Sequence, residues 1–257
     1  MIKYNLSQFT SIIINRETIG REIGIIEQLS KKIGNNVQKH CRYVTRKTII
    51  KITDLKDVKI TLNKITDDNY NKLIILLKTL CKNITSRDDI CEILQIISSK
   101  TLFIDLSAKI YYELICENEL FLAPAVDKFN SLYNDIIETS AVLTLDVSYD
   151  NLCINNKKID CIKNQVQFYS ALVYYNIPQI SSPDLLLIIP RLLENVNQYI
   201  YIEIIYNIIS KCTDIFNKYE EKNGIVITLN QIKNKKGIYE HISNKILFKT
   251  MDILDLI

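Results

Sequence analysis

The stretch Tyr199-Ile200-Tyr201-Ile202-Glu203-Ile204-Ile205-Tyr206-Asn207-Ile208-Ile209-Ser210-Lys211-Cys212-Thr213-Asp214-Ile215-Phe216 decides the fold. The stretch is apolar and β-branched enough to pass for a buried strand. Length separates the two possibilities, because about eighteen residues is ordinary for a helix whereas strands seldom exceed ten. The stretch reads as one buried helix, and with the most strand-like segment assigned to helix the chain reads as all-α.

Working outward, Ser181-Ser182-Pro183-Asp184 is a helix start with proline in the first turn, and Pro190 must kink or end the helix that follows. Apolar stripes at helical spacing recur upstream. Ile162, Val166, Phe168, Tyr169 and Leu172 form one; Phe129, Leu132, Tyr133, Ile136 and Ile137 a second; Phe103, Leu106, Ile110, Tyr111 and Leu114 a third. Thr85-Ser86-Arg87-Asp88 announces a helix with Ile90, Ile93, Leu94 and Ile97 on its face, and Thr66-Asp67-Asp68 one with Leu73, Leu76, Leu77 and Leu80. Downstream, Ile246, Met251, Ile253 and Leu254 stand against Asp252 and Asp255. Residues 143–154 alternate apolar and polar side chains and read as a loop or short hairpin, since no comparable strand lies nearby to pair with.

Roughly ten helices with short connections pack either as a bundle or as stacked hairpins of the HEAT kind, and no repeat period chooses between them. Only 5 Gly and 4 Pro in 257 residues agree with long helices, because turn-rich sheet proteins need more chain-reversing residues. Residues 1–54 read differently, as a partly extended arm. They hold Gly20, Gly24 and Gly34 and one amphipathic stretch, with Ile19, Ile23, Ile26, Leu29 and Ile33 at helical spacing. The arm is expected to order against a partner.

The net charge of +3 is too small to mark a whole-chain nucleic-acid binder. It is unevenly placed: residues 28–53 contain no acid but hold Lys31, Lys32, Lys39, Arg42, Arg46, Lys47 and Lys51, which leaves the rest of the chain slightly acidic. This run is either an RNA-binding segment, using Lys39, Arg42, Arg46, Lys47 and Lys51 on phosphates and Tyr43 for stacking, or a solvated tether. Binding by phosphate contacts would be steeply salt-dependent.

The cysteines, Cys41, Cys81, Cys91, Cys116, Cys153, Cys161 and Cys212, are odd in number and form no C-x-x-C. They read as free thiols acting as small core residues in a reducing, intracellular compartment. No signal-peptide pattern opens the chain, and its longest apolar run, 185–189, is far short of the roughly 20 residues of a membrane span. The excess of Ile, Asn and Lys matches A/T-rich codons and suggests a viral or protist source, which would place the protein in the host cytoplasm if viral.

No phosphate loop, dinucleotide fingerprint, zinc-protease motif or nucleophile elbow is present, and the histidines are only His40 and His241. The acid pairs Asp67-Asp68 and Asp88-Asp89 read as favourable charges at helix starts. The expectation is a protein with no catalytic residues, metal or cofactor.

Two stretches carry a further signal. Leu62-Asn63-Lys64-Ile65-Thr66 precedes Asp67-Asp68-Asn69-Tyr70, and Ser243-Asn244-Lys245-Ile246-Leu247-Phe248 leads into Met251-Asp252-Ile253-Leu254-Asp255-Leu256. Together, in order, they resemble the opening "LNKLT" and closing "SNRIRFMLQDVLDLR" motifs of the middle domain of translation initiation factor 4-gamma. Between them, Phe129 to Ile137 looks like the third-hairpin helix, Val166-Gln167-Phe168 like "IKF", and Ile189-Pro190-Arg191-Leu192-Leu193-Glu194-Asn195 like "VVKLLKN". Leu247 stands where the motif has an arginine, and the turn of the second hairpin is not recognisable in residues 98–105.

The resemblance covers about residues 55–257 and implies an α-solenoid of about five antiparallel hairpins that performs no chemistry. It further implies a scaffold that binds and activates a DEAD-box RNA helicase of the initiation factor 4A type. By motif position, Asn63 and Lys64 would touch the helicase at one end, and Leu192, Leu193, Glu203 and Phe248 at the other. Leu192 and Leu193 can equally be plain core. Tyr4-Asn5-Leu6-Ser7-Gln8-Phe9-Thr10 resembles a degenerate docking peptide for the cap-binding protein, Y-x-x-x-x-L-φ. Tyr4 and Phe9 would be its anchors, and Thr10 would take the apolar position. The resemblance thus implies a minimal initiation scaffold linking a helicase, a cap-binding protein of the initiation factor 4E type and mRNA. Rivals are a same-fold scaffold in RNA decay, splicing or nuclear cap binding, and a helical protein that sequesters a host factor.

Overall fold

In the computed structural model, residues 55–99, 103–142, 149–196, 198–235 and 237–257 are described, and their regular structure is entirely helical. The helices are α1 (Leu55–Lys64), α2 (Tyr70–Cys81), α3 (Arg87–Ser98), α4 (Ile104–Glu117), α5 (Leu122–Val142) and α6 (Tyr149–Leu172). They continue with α7 (Ser182–Leu186), α8 (Ile188–Leu193), α9 (Tyr199–Lys211), α10 (Thr213–Phe216), α11 (Lys222–Lys233) and α12 (Asn244–Leu254).

Three serines start three helices by the same chemistry. The Oγ atoms of Ser86, Ser181 and Ser243 accept the backbone N–H of Asp89, Asp184 and Ile246 at 3.3, 3.2 and 3.4 Å. Each satisfies an orphan donor of the first turn, a contribution of about 0.5–2 kcal/mol. Asn69 performs the equivalent task between α1 and α2: its Oδ1 accepts from the Thr66 N–H and its Nδ2 donates to the Lys64 carbonyl, both at 2.8 Å.

Helices α2, α4, α6, α9 and α12 each pack on the next in that order. Beside them α1 packs on α3 and α3 on α5, and α8 touches α11. Consecutive helices also pair, α1 with α2, α3 with α4, α5 with α6, α8 with α9 and α11 with α12. The aromatic centre lies where α4, α5 and α6 meet. The rings of Phe121 and Phe168 stand edge-on to Tyr111, each at 5.9 Å, and Tyr169 lies 5.4 Å from Phe129. The two buried phenols keep their protons and donate, Tyr111 to the Phe121 carbonyl at 2.8 Å and Tyr169 to that of Ala125 at 3.0 Å. Burial raises both pKa values far above the ordinary phenol range.

Several local expectations are corrected. The run 199–216 is helical but divides at Cys212, whose backbone leaves helical geometry at φ −113°, ψ 29°. The Cys212 Sγ donates to the Ser170 carbonyl at 3.3 Å, which ties that break to α6. Pro190 does not end its helix; the interruption falls one turn earlier, at Leu187. Placing Pro190 third in α8 puts its missing N–H among those that need no intrahelical partner. Of the stretch expected to be a loop or hairpin, residues 149–154 form the start of α6, and 143–148 lie outside the described residues. Among the cysteines, Cys81 and Cys212 are core residues, but Cys91, Cys116 and Cys153 are exposed and Cys161 is half-buried; those described are all free. No helix among the described residues is long and apolar enough to cross a membrane.

Candidate functional site

The candidate site is built on α12 and its neighbour α9. Ile246, Thr250 and Ile253, spaced by four and three residues, are the buried side of α12, and the Thr250 hydroxyl is satisfied by the Ile246 carbonyl at 2.9 Å. Helical geometry then turns residues two and five positions beyond Ile246 toward solvent. These are Phe248 and Met251, 63% and 37% exposed. An aromatic and a thioether one turn apart make a bare apolar strip.

The lysines of α12 are held elsewhere. Lys245 Nζ lies 3.6 Å from the centre of the Tyr199 ring, and Lys249 Nζ lies 3.7 Å from that of Tyr206 and 3.2 Å from the Asp252 carboxylate. Both rings belong to α9, so the cation–π contacts, each about 0.5–1 kcal/mol at exposed sites, fasten the two helices together. Beside them Glu203 of α9 is paired with Lys163 of α6 at 2.8 Å. Lys163, Tyr199, Glu203 and Lys245 line one cleft between α6, α9 and α12. Burial, reinforced by the Glu203 charge, raises the Tyr199 phenol, which stays neutral there.

The other sequence candidates fall in different places. Asn63 and Lys64 are exposed at the end of α1, which packs on α2 and α3, whereas α12 packs on α9 and α11. Leu192 and Leu193 are 0% and 4% exposed, so their side chains serve the core. The short α8 turns both leucines inward, as in the plain-core alternative. Tyr4, Phe9, Thr10, Lys39, Arg42, Tyr43, Arg46, Lys47 and Lys51 lie outside the described residues. Tyr199 and Lys245 were given no role from the sequence, and Met251, placed there on the apolar side of the last helix with Ile246 and Ile253, is instead 37% exposed. The spacing of Met251 from Phe248 was legible there, but the two lysine–tyrosine contacts depend on how α9 and α12 pack.

Among the described residues no group of three His, Cys, Asp or Glu side chains could hold a metal ion. The phenol of Tyr70, 7% exposed and with no hydrogen-bond partner among the described residues, is pushed up to about 12 by burial and then by Glu113. The arrangement is suited to binding a protein surface through Phe248 and Met251, with charged groups at the rim. No protein-family model matches the chain, and no curated protein matches it either.

Proposed function

We propose that the chain is a non-enzymatic scaffold of translation initiation that binds and activates a DEAD-box RNA helicase of the initiation factor 4A type. The helices are read as a HEAT-like α-solenoid of five antiparallel hairpins, α1–α2, α3–α4, α5–α6, α7 and α8 with α9, and α11–α12. The packing of alternate helices in two rows supports that reading. The helicase would be engaged by Asn63 and Lys64 at one end and by Phe248 with Glu203 at the other, while the N-terminal arm links the scaffold to a cap-binding protein and mRNA in the cytoplasm.

The observation that carries the proposal is Phe248. It sits in the closing motif, 63% exposed on a helix whose Ile246 and Ile253 supply the core. A solvent-facing Phe costs apolar exposure with no return to the fold, and aromatic anchors of this kind dominate binding energy at protein interfaces. The test is the RNA-stimulated ATPase rate of an initiation-type helicase with and without the purified protein. Stimulation that disappears in Phe248→Ala supports the proposal, and an unchanged rate rejects it.

A further inference from the structure

The exposed strip of α12 carries a sign of charge at one end. Phe248, Met251 and Asp255 follow one another at three and four residues, and Asp252 stands four beyond Phe248, so both carboxylates rise beside the apolar strip. Asp255 is exposed, and its side chain has no hydrogen bond or ion pair among the described residues. Asp252 is 56% exposed and meets only Lys249, at 3.2 Å.

The cations nearby are engaged elsewhere. Lys245 and Lys249 are drawn to the Tyr199 and Tyr206 rings of α9, and Lys222 of α11 donates to Asn217 Oδ1 at 2.7 Å and to the Ile257 carbonyl at 3.4 Å. Lys235 donates to Asn244 at 3.4 Å, one turn before Phe248. The acidic character therefore belongs to the end of the strip beyond Phe248.

Asp255 does nothing for the helix that carries it. It caps the C-terminus of α12, whose last turn holds no basic residue. The macrodipole is negative there, which favours a cation and disfavours a carboxylate. Elsewhere the chain follows that rule: Asp88 and Asp89 open α3, Asp184 opens α7, and α1, α9 and α11 each hold a lysine in the last turn. Lys249 offsets Asp252, but Asp255, like Phe248, is kept with no return to the fold, and such local conflicts gather at functional surfaces.

Resting on the reading of Phe248 as the helicase anchor, we propose that the partner surface receiving it is basic: a lysine or arginine faces Asp255 and Asp252 beside an apolar pocket for Phe248 and Met251. Lys235 at the other end of the strip gives it a polarity, so the charge also sets which way the partner lies along α12. A charge at the rim of an anchor acts chiefly on encounter rate and register.

The test follows association of the full chain with a helicase of the initiation factor 4A type by surface plasmon resonance, at about 50 and about 300 mM salt. Asp255→Asn should slow association about threefold at the lower salt and Asp255→Lys about tenfold, both differences shrinking at the higher salt. Asp255→Asn should melt at or above the parent, and Glu138→Gln, the same change of net charge on α5, should associate like the parent. Parent-like association by both Asp255 variants, or equal slowing by Glu138→Gln, overturns the basic partner surface; if Phe248→Ala still loses binding, the reading of Phe248 stands. Parent-like binding by Phe248→Ala, or no binding by the parent, overturns that reading and the basic surface with it.

Discussion

The Lys163 ammonium on α6 and the Glu203 carboxylate on α9 meet at 2.8 Å, about one-fifth of each side chain remaining exposed. The pair joins two helices that are far apart in sequence and forms the wall of the cleft facing Lys245. Partial exposure places its worth between the small value of a surface ion pair and the larger value of a buried one. Glu203→Gln is expected to lower unfolding stability by about 1 kcal/mol, measured by urea denaturation. A loss near 4 kcal/mol would mean a far drier pair than this geometry allows.

Leu192 and Phe248 separate core from surface. Leu192→Ala opens a cavity under α8 and should cost about 2–5 kcal/mol. Phe248→Ala removes a ring that is mostly in water and should leave stability within about 0.5 kcal/mol of the parent. Thermal melts of the two variants check both figures, and a large loss in Phe248→Ala would place that ring in the core.

Tyr111→Phe deletes one hydroxyl and takes the side-chain donor from the Phe121 carbonyl in a buried site. The expected cost is about 1–3 kcal/mol, with little change in helix content by circular dichroism. A neutral substitution would show that water satisfies the carbonyl in place of the phenol.

The buried thiols of Cys81 and Cys212 are pushed up to about 12 and about 11 by burial, above their usual 9.0. The folded state thus holds these protons more tightly than the unfolded chain. Their contribution to stability is fully present below pH 9 and is lost as pH rises through about 11 to 12, where the unfolded thiols are already ionised. The buried phenols, also raised, act in the same direction. Urea midpoints from pH 8 upward should therefore fall with increasing pH, and a flat profile would contradict the burial. In native protein a thiol reagent should modify exposed Cys91, Cys116 and Cys153 quickly, and reach Cys81 and Cys212 only on unfolding.

The caps at Ser86 and Ser181 and most of the apolar stripes were legible because they depend on neighbours three and four residues away, although Leu76 and Phe103, read into stripes, are 46% and 40% exposed. Features set by distant contacts were not. Cys91 follows the fully buried Ile90, but one residue along a helix is a turn of about 100°, which carries its thiol to the surface despite the apolar neighbours. The break at Cys212 is accompanied by a contact with Ser170, 42 residues earlier. Helix α11 went unmarked because Gly224 weakens its start and Ile225, Ile227 and Leu229 alternate like a strand; packing on α12 decides for helix there. At the candidate site, Phe248 was readable from the closing motif. Its isolation from Lys245 and Lys249 was not, because both lysines are drawn to rings on α9.

Activation of an initiation-type DEAD-box helicase through Phe248 is the proposal on which the rest depends. The direct measurement is the RNA-stimulated ATPase rate of that helicase titrated with the purified protein and with Phe248→Ala, after both have been shown to melt alike. A saturable rise with the parent and none with the variant is the result expected. Equal rates with parent, variant and buffer would contradict it.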